Sequence, residues 1–341
     1  MTSPISIAER RLPSSGFTLM EMLVVLSIIS VMLGMSIGVF QRSAPRRDLA
    51  RNEMVSALRR ARLFAVSEQA PTSVLLVPGD DDNWPSVTAI GRRTSAVWHM
   101  EGTNLSGFPH EGSGVGYDED LHGVLGKATR LIDNDTSYID LGRSPAMDSA
   151  DGAAIEMFVK PDRRHMRELA HKGSGFQLVS DLAGALTLSV DIWRTRLDGA
   201  REVQSISVSS EDGAMLPGRW TKIAASYDGL ALRIYADNAL VAEAVQVKWA
   251  PMAPSTEDPL VIGSYNAPFA GSIDEVKWGI YVAERSKPMV DTEVISQETL
   301  VRFAPGGELD PRFHSGGVDL GIVTVGGAEA WVSVGLLGNV Q

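Results

Sequence analysis

The sequence predicts an α+β chain. One long N-terminal helix packs on an antiparallel sheet, and an all-β sandwich is inserted before that sheet is complete. Three observations carry this. An uncharged run from Met22 to Phe40 leads into a segment whose apolar residues recur every three or four positions. From about Thr94 to Val290 the chain is a succession of short alternating runs. After residue 294 the texture changes again, to three strand-like runs divided by Pro-Gly and Gly-Gly turns.

The helix comes first. Its uncharged run is about 19 residues long, close to the ~20 that cross a bilayer. Arg10 and Arg11 stand ahead of it and hold residues 1–16 on the cytoplasmic side. A secretory signal places its small residue after the apolar core. Here Gly16 lies before the run, so cleavage there removes the leader and keeps the helix. Glu21 sits at the edge of the run, where a lone carboxylate is costly and needs a partner. The ordered set Gly16, Phe17 and Glu21 before a long apolar helix resembles the N-terminus of type IV pilin-like proteins, including type II secretion pseudopilins. The resemblance covers about 30 residues. It implies cleavage between Gly16 and Phe17 by a prepilin peptidase, methylation, and pairing of Glu21 with the terminal amine of a neighbouring subunit.

Residues 44–70 extend the helix. Ala50, Met54, Ala57, Ala61 and Phe64 mark one buried face, ringed by Arg46, Arg47, Arg51, Arg59, Arg60 and Arg62. Those charges suit a solvated face, acidic neighbours or lipid headgroups. Pro45 removes a backbone donor and is expected to loosen the helix locally. Pro71 ends it, residues 72–78 form a strand, and residues 80–93 read as a polar loop. The stretch from Ala57 onward resembles an H-type minor pseudopilin.

Length suggests two domains. The net charge is −11, and losing Glu9, Arg10 and Arg11 with the leader takes it to about −12. An acidic exported surface argues against nucleic acid. There is no Cys, so no disulfide staples the fold in an oxidising compartment. Adhesive pilins often carry a C-terminal disulfide loop, so its absence favours a pseudopilin.

Residues 94–290 alternate cleanly at Ile155–Val159, Leu186–Val190, Ser205–Val208 and Leu230–Tyr235. Turn signals at Asp212-Gly213, Asp228-Gly229 and Asp237-Asn238 separate the runs, as in a β-sandwich. The order of Gly123–Ala128, Tyr138–Gly142, Ile155–Pro161, Gly218–Gly229, Leu260–Gly263 and Phe269–Val276 resembles a laminin-G-like, concanavalin-type jelly roll. That resemblance implies a module that binds glycan or protein, or acts as a spacer. The tail, residues 294–341, resembles the C-terminal sheet of H-type pseudopilins. One strand near residue 75 cannot cover the helix, so the tail is expected to complete its sheet. Residues 17–93 and 294–341 then make one pilin-like domain, interrupted by 94–290.

Catalysis has thin support. With no Cys there is no thiol nucleophile, and His99, His110, His122, His165, His171 and His314 form no close pair for zinc. Asp274-Glu275 is the nearest acidic pair in a strand, but neighbouring strand residues point to opposite faces. Asp274 is expected to be a buried hydrogen-bonding group at a turn. Asp80-Asp81-Asp82 and Asp133-Asn134-Asp135 offer oxygen ligands for calcium and equally read as turns. Gly112–Gly116 lacks the strand and helix of a phosphate loop. The expectation is a non-enzymatic filament subunit with no obligate cofactor. It is a single-pass protein of the inner membrane, with its C-terminal domains outside the cytoplasm. Residues 17–40 form the span, other pilin-like subunits are its partners, and 94–290 is free for a glycan or secreted protein.

Overall fold

The computed structural model describes residues 19–80, 83–109, 111–132, 137–148, 151–164, 167–196, 199–246, 249–253, 257–264 and 267–341; at Leu19, Glu21 and 31–45 the description is of backbone alone. Helix α1 (Leu19–Glu68) opens it, followed by β1 (Thr72–Val77) and β2 (Ser86–Trp98). Short strands come next: β3 (Gly107–Phe108), β4 (Ser113–Val115), β5 (Tyr117–Asp120), β6 (Ala128–Leu131) and β7 (Tyr138–Asp140). The middle holds β8 (Ala153–Pro161), β9 (Arg167–Lys172), β10 (Phe176–Ser180), β11 (Leu186–Thr195) and β12 (Arg201–Ser209). Then come β13 (Thr221–Tyr227), β14 (Ala231–Ala236), β15 (Ala239–Val245), β16 (Leu260–Gly263) and β17 (Gly271–Arg285). The tail carries β18 (Thr292–Val294), β19 (Leu300–Phe303), β20 (Val318–Thr324) and β21 (Glu329–Val334).

The protein is mostly β. An antiparallel sheet runs β15-β14-β13-β8-β17-β2-β1-β19, and a second runs β12-β11-β10-β9-β16-β7-β4. Their inner faces enclose a core containing Trp98, Ile155, Phe176, Leu188, Ile223 and Trp278, a jelly-roll-like sandwich. Trp278 is 1% exposed, meets Phe176 edge-on at 5.1 Å, and donates its indole N–H to the Met147 carbonyl at 3.0 Å. Alternation in β8 and β11 produces this directly: every second residue faces inward. Asp237 and Asn238 both take positive φ, the geometry a two-residue hairpin needs between β14 and β15.

A second core lies under α1. Ala50, Met54, Ala57, Leu58, Ala61 and Ala65 face Val74, Leu76, Val87, Val301, Phe303, Leu320 and Val332. Burial of Leu58 alone stabilises by about 1.5–3 kcal/mol. Phe64, expected in this stripe, instead lies across Gly91, where a Cβ would come within 2.7 Å of its ring. Three of the basic residues are tied to the body. Arg46 pairs with Asp291, Arg60 with Glu284 at 3.0 Å, and Arg62 donates to the carbonyls of Gly307 and Leu337. Among the described residues no helix is long and apolar enough to cross a membrane. The later part of the uncharged run, residues 31–40, lies outside the described side chains.

Three expectations change. Residues 86–93 are not loop: β2 starts at Ser86 because it is paired on both sides, Val87 with Leu76 and Thr88 with Arg285. The proposed boundary at 93/94 therefore falls inside a strand. The tail does not join β1 as one unit. Only β19 pairs with β1; β20 and β21 form a separate sheet with β18, and both sheets cover the helix. Finally, the tail touches the sandwich. Arg302 of β19 and Arg233 of β14 both bind Asp228, and all three are at most 2% exposed. Burial disfavours the Asp228 carboxylate, but Arg302 and Arg233 outweigh it and hold it well below the usual range.

Candidate functional site

The sequence-predicted site residues come first. Gly16 and Phe17 lie outside the described residues, as do Asp81, Asp82 and Asp133–Asp135; Glu21 is described in backbone only. Asp80 closes a turn, its backbone exchanging hydrogen bonds with Asn83. Among the described residues no group of three or more His, Asp or Glu could hold a metal ion. Asp274 is fully buried and accepts from the N–H groups of Val124, Leu125 and Glu275. Burial pushes its carboxyl up, against those three bonds. Glu275 does not simply face the other way. A bulge between Asp274 and Lys277 and a φ of 50° at Glu275 break the alternation, and Glu275 lies 2.9 Å from His99. Both carboxylates are thus engaged.

A cleft of about 690 Å³ opens at one end of the sandwich, where β11 of one sheet approaches β15 of the other. Trp193 projects from β11 on the side opposite the fully buried Ile192. Arg194 donates to the Gln246 side chain at 3.0 Å, bridging the two sheets. Residues 249–253 run along the end of β11: the Trp193 N–H reaches the Pro251 carbonyl at 2.9 Å, and the Ala253 N–H reaches Asp191 at 2.8 Å. The opposite sheet holds the same segment. The Ala250 N–H binds the Gly229 carbonyl at 2.8 Å, and the Tyr227 hydroxyl donates to the Ala250 carbonyl at 2.6 Å. Burial, then the Asp228 charge, pushes Tyr227 up, so it stays a neutral donor.

Trp249 completes the wall. Its indole lies on Gly229, whose φ is 84° and whose Cβ, if present, would stand 2.2 Å from Nε1. Glycine is needed there for both conformation and room. Trp193 and Trp249 thus line the cleft together with Arg194, Arg201, Thr195 and Gln246, and Trp249 is held by Gly229 and the Ile90, Ala154 and Tyr281 cluster. Indole faces stack on flat, partly apolar rings, and the guanidinium and amide groups donate to hydroxyls and ring oxygens. Sequence reasoning missed this site. Trp193 has the outward parity of its strand, which is a usable signal. Its meeting with Trp249 depends on how the two sheets close, and no local pattern encodes that.

Residues 133–286 match the model described as the concanavalin A-like lectin/glucanases superfamily, and residues 11–37 match the prokaryotic N-terminal methylation motif. No curated protein matches the chain. Among solved structures, domain 4 of an extracellular arabinanase from Geobacillus stearothermophilus, in complex with arabinotriose, is 17% identical. That match covers 55% of this chain and 92% of that one, at a TM-score of 0.40. A carbohydrate-binding module from Bacillus subtilis is 14% identical over 50% of this chain and 94% of that one, at a TM-score of 0.28. Mouse laminin alpha1 domains are 10% identical over 67% and 45%, at a TM-score of 0.29. The chain thus joins a prepilin-type N-terminal methylation motif to a concanavalin-like laminin G domain.

Proposed function

We propose that this chain is a pilin-like subunit, of the pseudopilin type, that displays a saccharide-binding domain from a type II secretion or type IV pilus-like filament. The observation that carries it is the order of two matched segments, a methylation motif at 11–37 and a lectin-like domain at 133–286. In this reading α1, β1, the first half of β2 and the tail form the pilin-like part, with 17–40 anchored in the inner membrane. The two separate hydrophobic cores support that division. The prepilin peptidase cuts after Gly16, and Glu21 pairs with the Phe17 amine of a neighbouring subunit. That pairing removes a charge otherwise left without a partner at the lipid edge. The Trp193–Trp249 cleft binds a sugar ring and performs no chemistry: no carboxylate is among its described lining residues, and the strand pair Asp274 and Glu275 is engaged by backbone N–H groups and His99.

N-terminal sequencing of membrane-extracted protein tests processing, with a mature chain expected to begin at Phe17. Glu21→Ala is expected to be inserted and cleaved, yet absent from filaments by crosslinking. On glycan arrays the detergent-solubilised full chain should retain oligosaccharide, and Trp193→Ala with Trp249→Ala should lose it by at least ten-fold. An intact leader, normal assembly of Glu21→Ala, or equal retention by the tryptophan variant would each overturn its part of the reading.

A further inference from the structure

A second cleft, also about 690 Å³, lies between the C-terminal end of α1 and the outer face of the large sheet. Its floor is set by register. Ser226 of β13 pairs with Ala154 of β8, and Ala154 with Gly279 of β17, so small residues lie side by side on three adjacent strands. The helix end at Ser67–Ala70, with Pro71 and Pro305, forms one wall, and Tyr235 with Asn238 forms the other. Concave sites of this size at the junction of two structural units are where small ligands bind.

The charges are unequal in their engagement. Arg92 passes over Gly279, whose Cβ would lie 3.2 Å from its methylenes, and reaches Glu156 at 2.5 Å. It also donates to the Glu68 carbonyl at 2.9 Å, while the Glu68 carboxylate is taken up by Thr94. Both acids of the cleft are therefore engaged. Lys222 stands 3.2 Å from Asn238 and 3.6 Å from Glu156, a loose pairing. Lys277 is exposed, and its charge acts only from a distance on Glu156: burial pushes that carboxyl up, but Arg92, Lys222 and Lys277 together hold it below its usual range. It lies directly across from Glu156, one strand from β8, and Lys222 lies on the strand to the other side. Lys222 is across from Phe158, so the two roots are about 12 Å apart, two strand spacings and a two-residue stagger, within reach of long side chains. On a chain of net charge −11 this cleft has ammonium to spare.

We propose that the junction cleft binds an acidic saccharide unit of the uronic-acid class. The ring carboxylate meets Lys277 on the side away from Glu156, with Lys222 within reach, and the ring faces meet Tyr235 and the prolines. A neutral sugar would leave the exposed Lys277 ammonium with no anion but the shared Glu156 carboxylate. The proposal rests on the saccharide reading of the domain but concerns a different cleft from the tryptophan one. The test is calorimetric titration of the detergent-solubilised full chain with trigalacturonate, a glucuronate-containing tetrasaccharide and neutral galactotriose. Trigalacturonate or the glucuronate probe should bind, more weakly at raised salt. Lys222→Gln with Lys277→Gln should lose at least ten-fold, at an unchanged melting temperature. Trp193→Ala with Trp249→Ala should leave this binding intact. Undiminished affinity in the lysine variant, equal binding of galactotriose at this cleft, or no binding of either acidic probe overturns it. Should neutral sugars be held by the tryptophan cleft while both acidic probes fail, only this proposal falls.

Discussion

Asp228 is one carboxylate doing three jobs. It accepts the N–H groups of Leu230 and Ala231 at the β13–β14 turn, and it binds Arg233 of the sandwich and Arg302 of the tail. Nothing around Asp228-Gly229 distinguishes it from an ordinary turn, because its second partner lies 74 residues away. Removing one member of a buried pair leaves the others charged and without a partner. Asp228→Ala is therefore expected to cost about 3–5 kcal/mol in denaturant unfolding, far beyond a turn residue's usual share. A loss under about 1 kcal/mol would show the cluster to be weak. His314 sits on the other side of Arg302 and accepts its backbone N–H at 2.9 Å through Nε2. That atom must stay unprotonated. Burial lowers the imidazole and Arg302 adds to this, against the nearby Glu298 and Asp310. With the folded value below the unfolded one, the unfolded chain takes up the proton first. The His314 contribution is complete above about pH 6.5 and is lost as pH falls towards the folded value. Wild-type protein should lose more thermal stability between about pH 7.5 and 5 than His314→Gln does. Asp151 and Asp274, pushed up by burial, act in the opposite sense but are common to both proteins. Equal pH slopes would remove His314 from the account.

At the scale of elements, β2 and β17 matter most. They pair from Thr88↔Arg285 to Val276↔Trp98, so one ribbon belongs to both cores. Strand runs with clean alternation were legible in sequence, as at Leu186–Val190. Ser86–Arg93 was not, because Ser86, Gly91, Arg92 and Arg93 give it the polarity of a loop, and the partners that tie Ser86 to Arg285 and Arg92 to Glu156 lie far along the chain. Joining residues 1–92 directly to 294–341, which treats 94–290 as a separable insert, would remove all of β17, leave β2 without it and Arg302 without Asp228. A better-matched excision replaces 94–279 with Asn-Gly, joining Arg93 to Ile280 where they already face each other. With Arg302→Met added, that protein should remain folded by circular dichroism and limited proteolysis. With Arg302 retained it should be less stable by about 3–5 kcal/mol. If both versions aggregate, the two cores are not separable.

At the scale of the whole molecule, the motif at 11–37 and the lectin-like domain are written locally and could be read from residue order. The clefts are not, since Trp193 and Trp249 line one cleft only after the sheets close, and Lys222 and Lys277 come to one face only once β8 pairs between their strands. The shared ribbon has a mechanical consequence. A pull on a ligand held by the sandwich reaches α1 along two strands that already rise about 3.3 Å per residue, near the ~3.6 Å limit of the chain. There is no slack to take up. Displacement at the captured end is passed to the helix almost undiminished, so the molecule behaves as a strut rather than a leash.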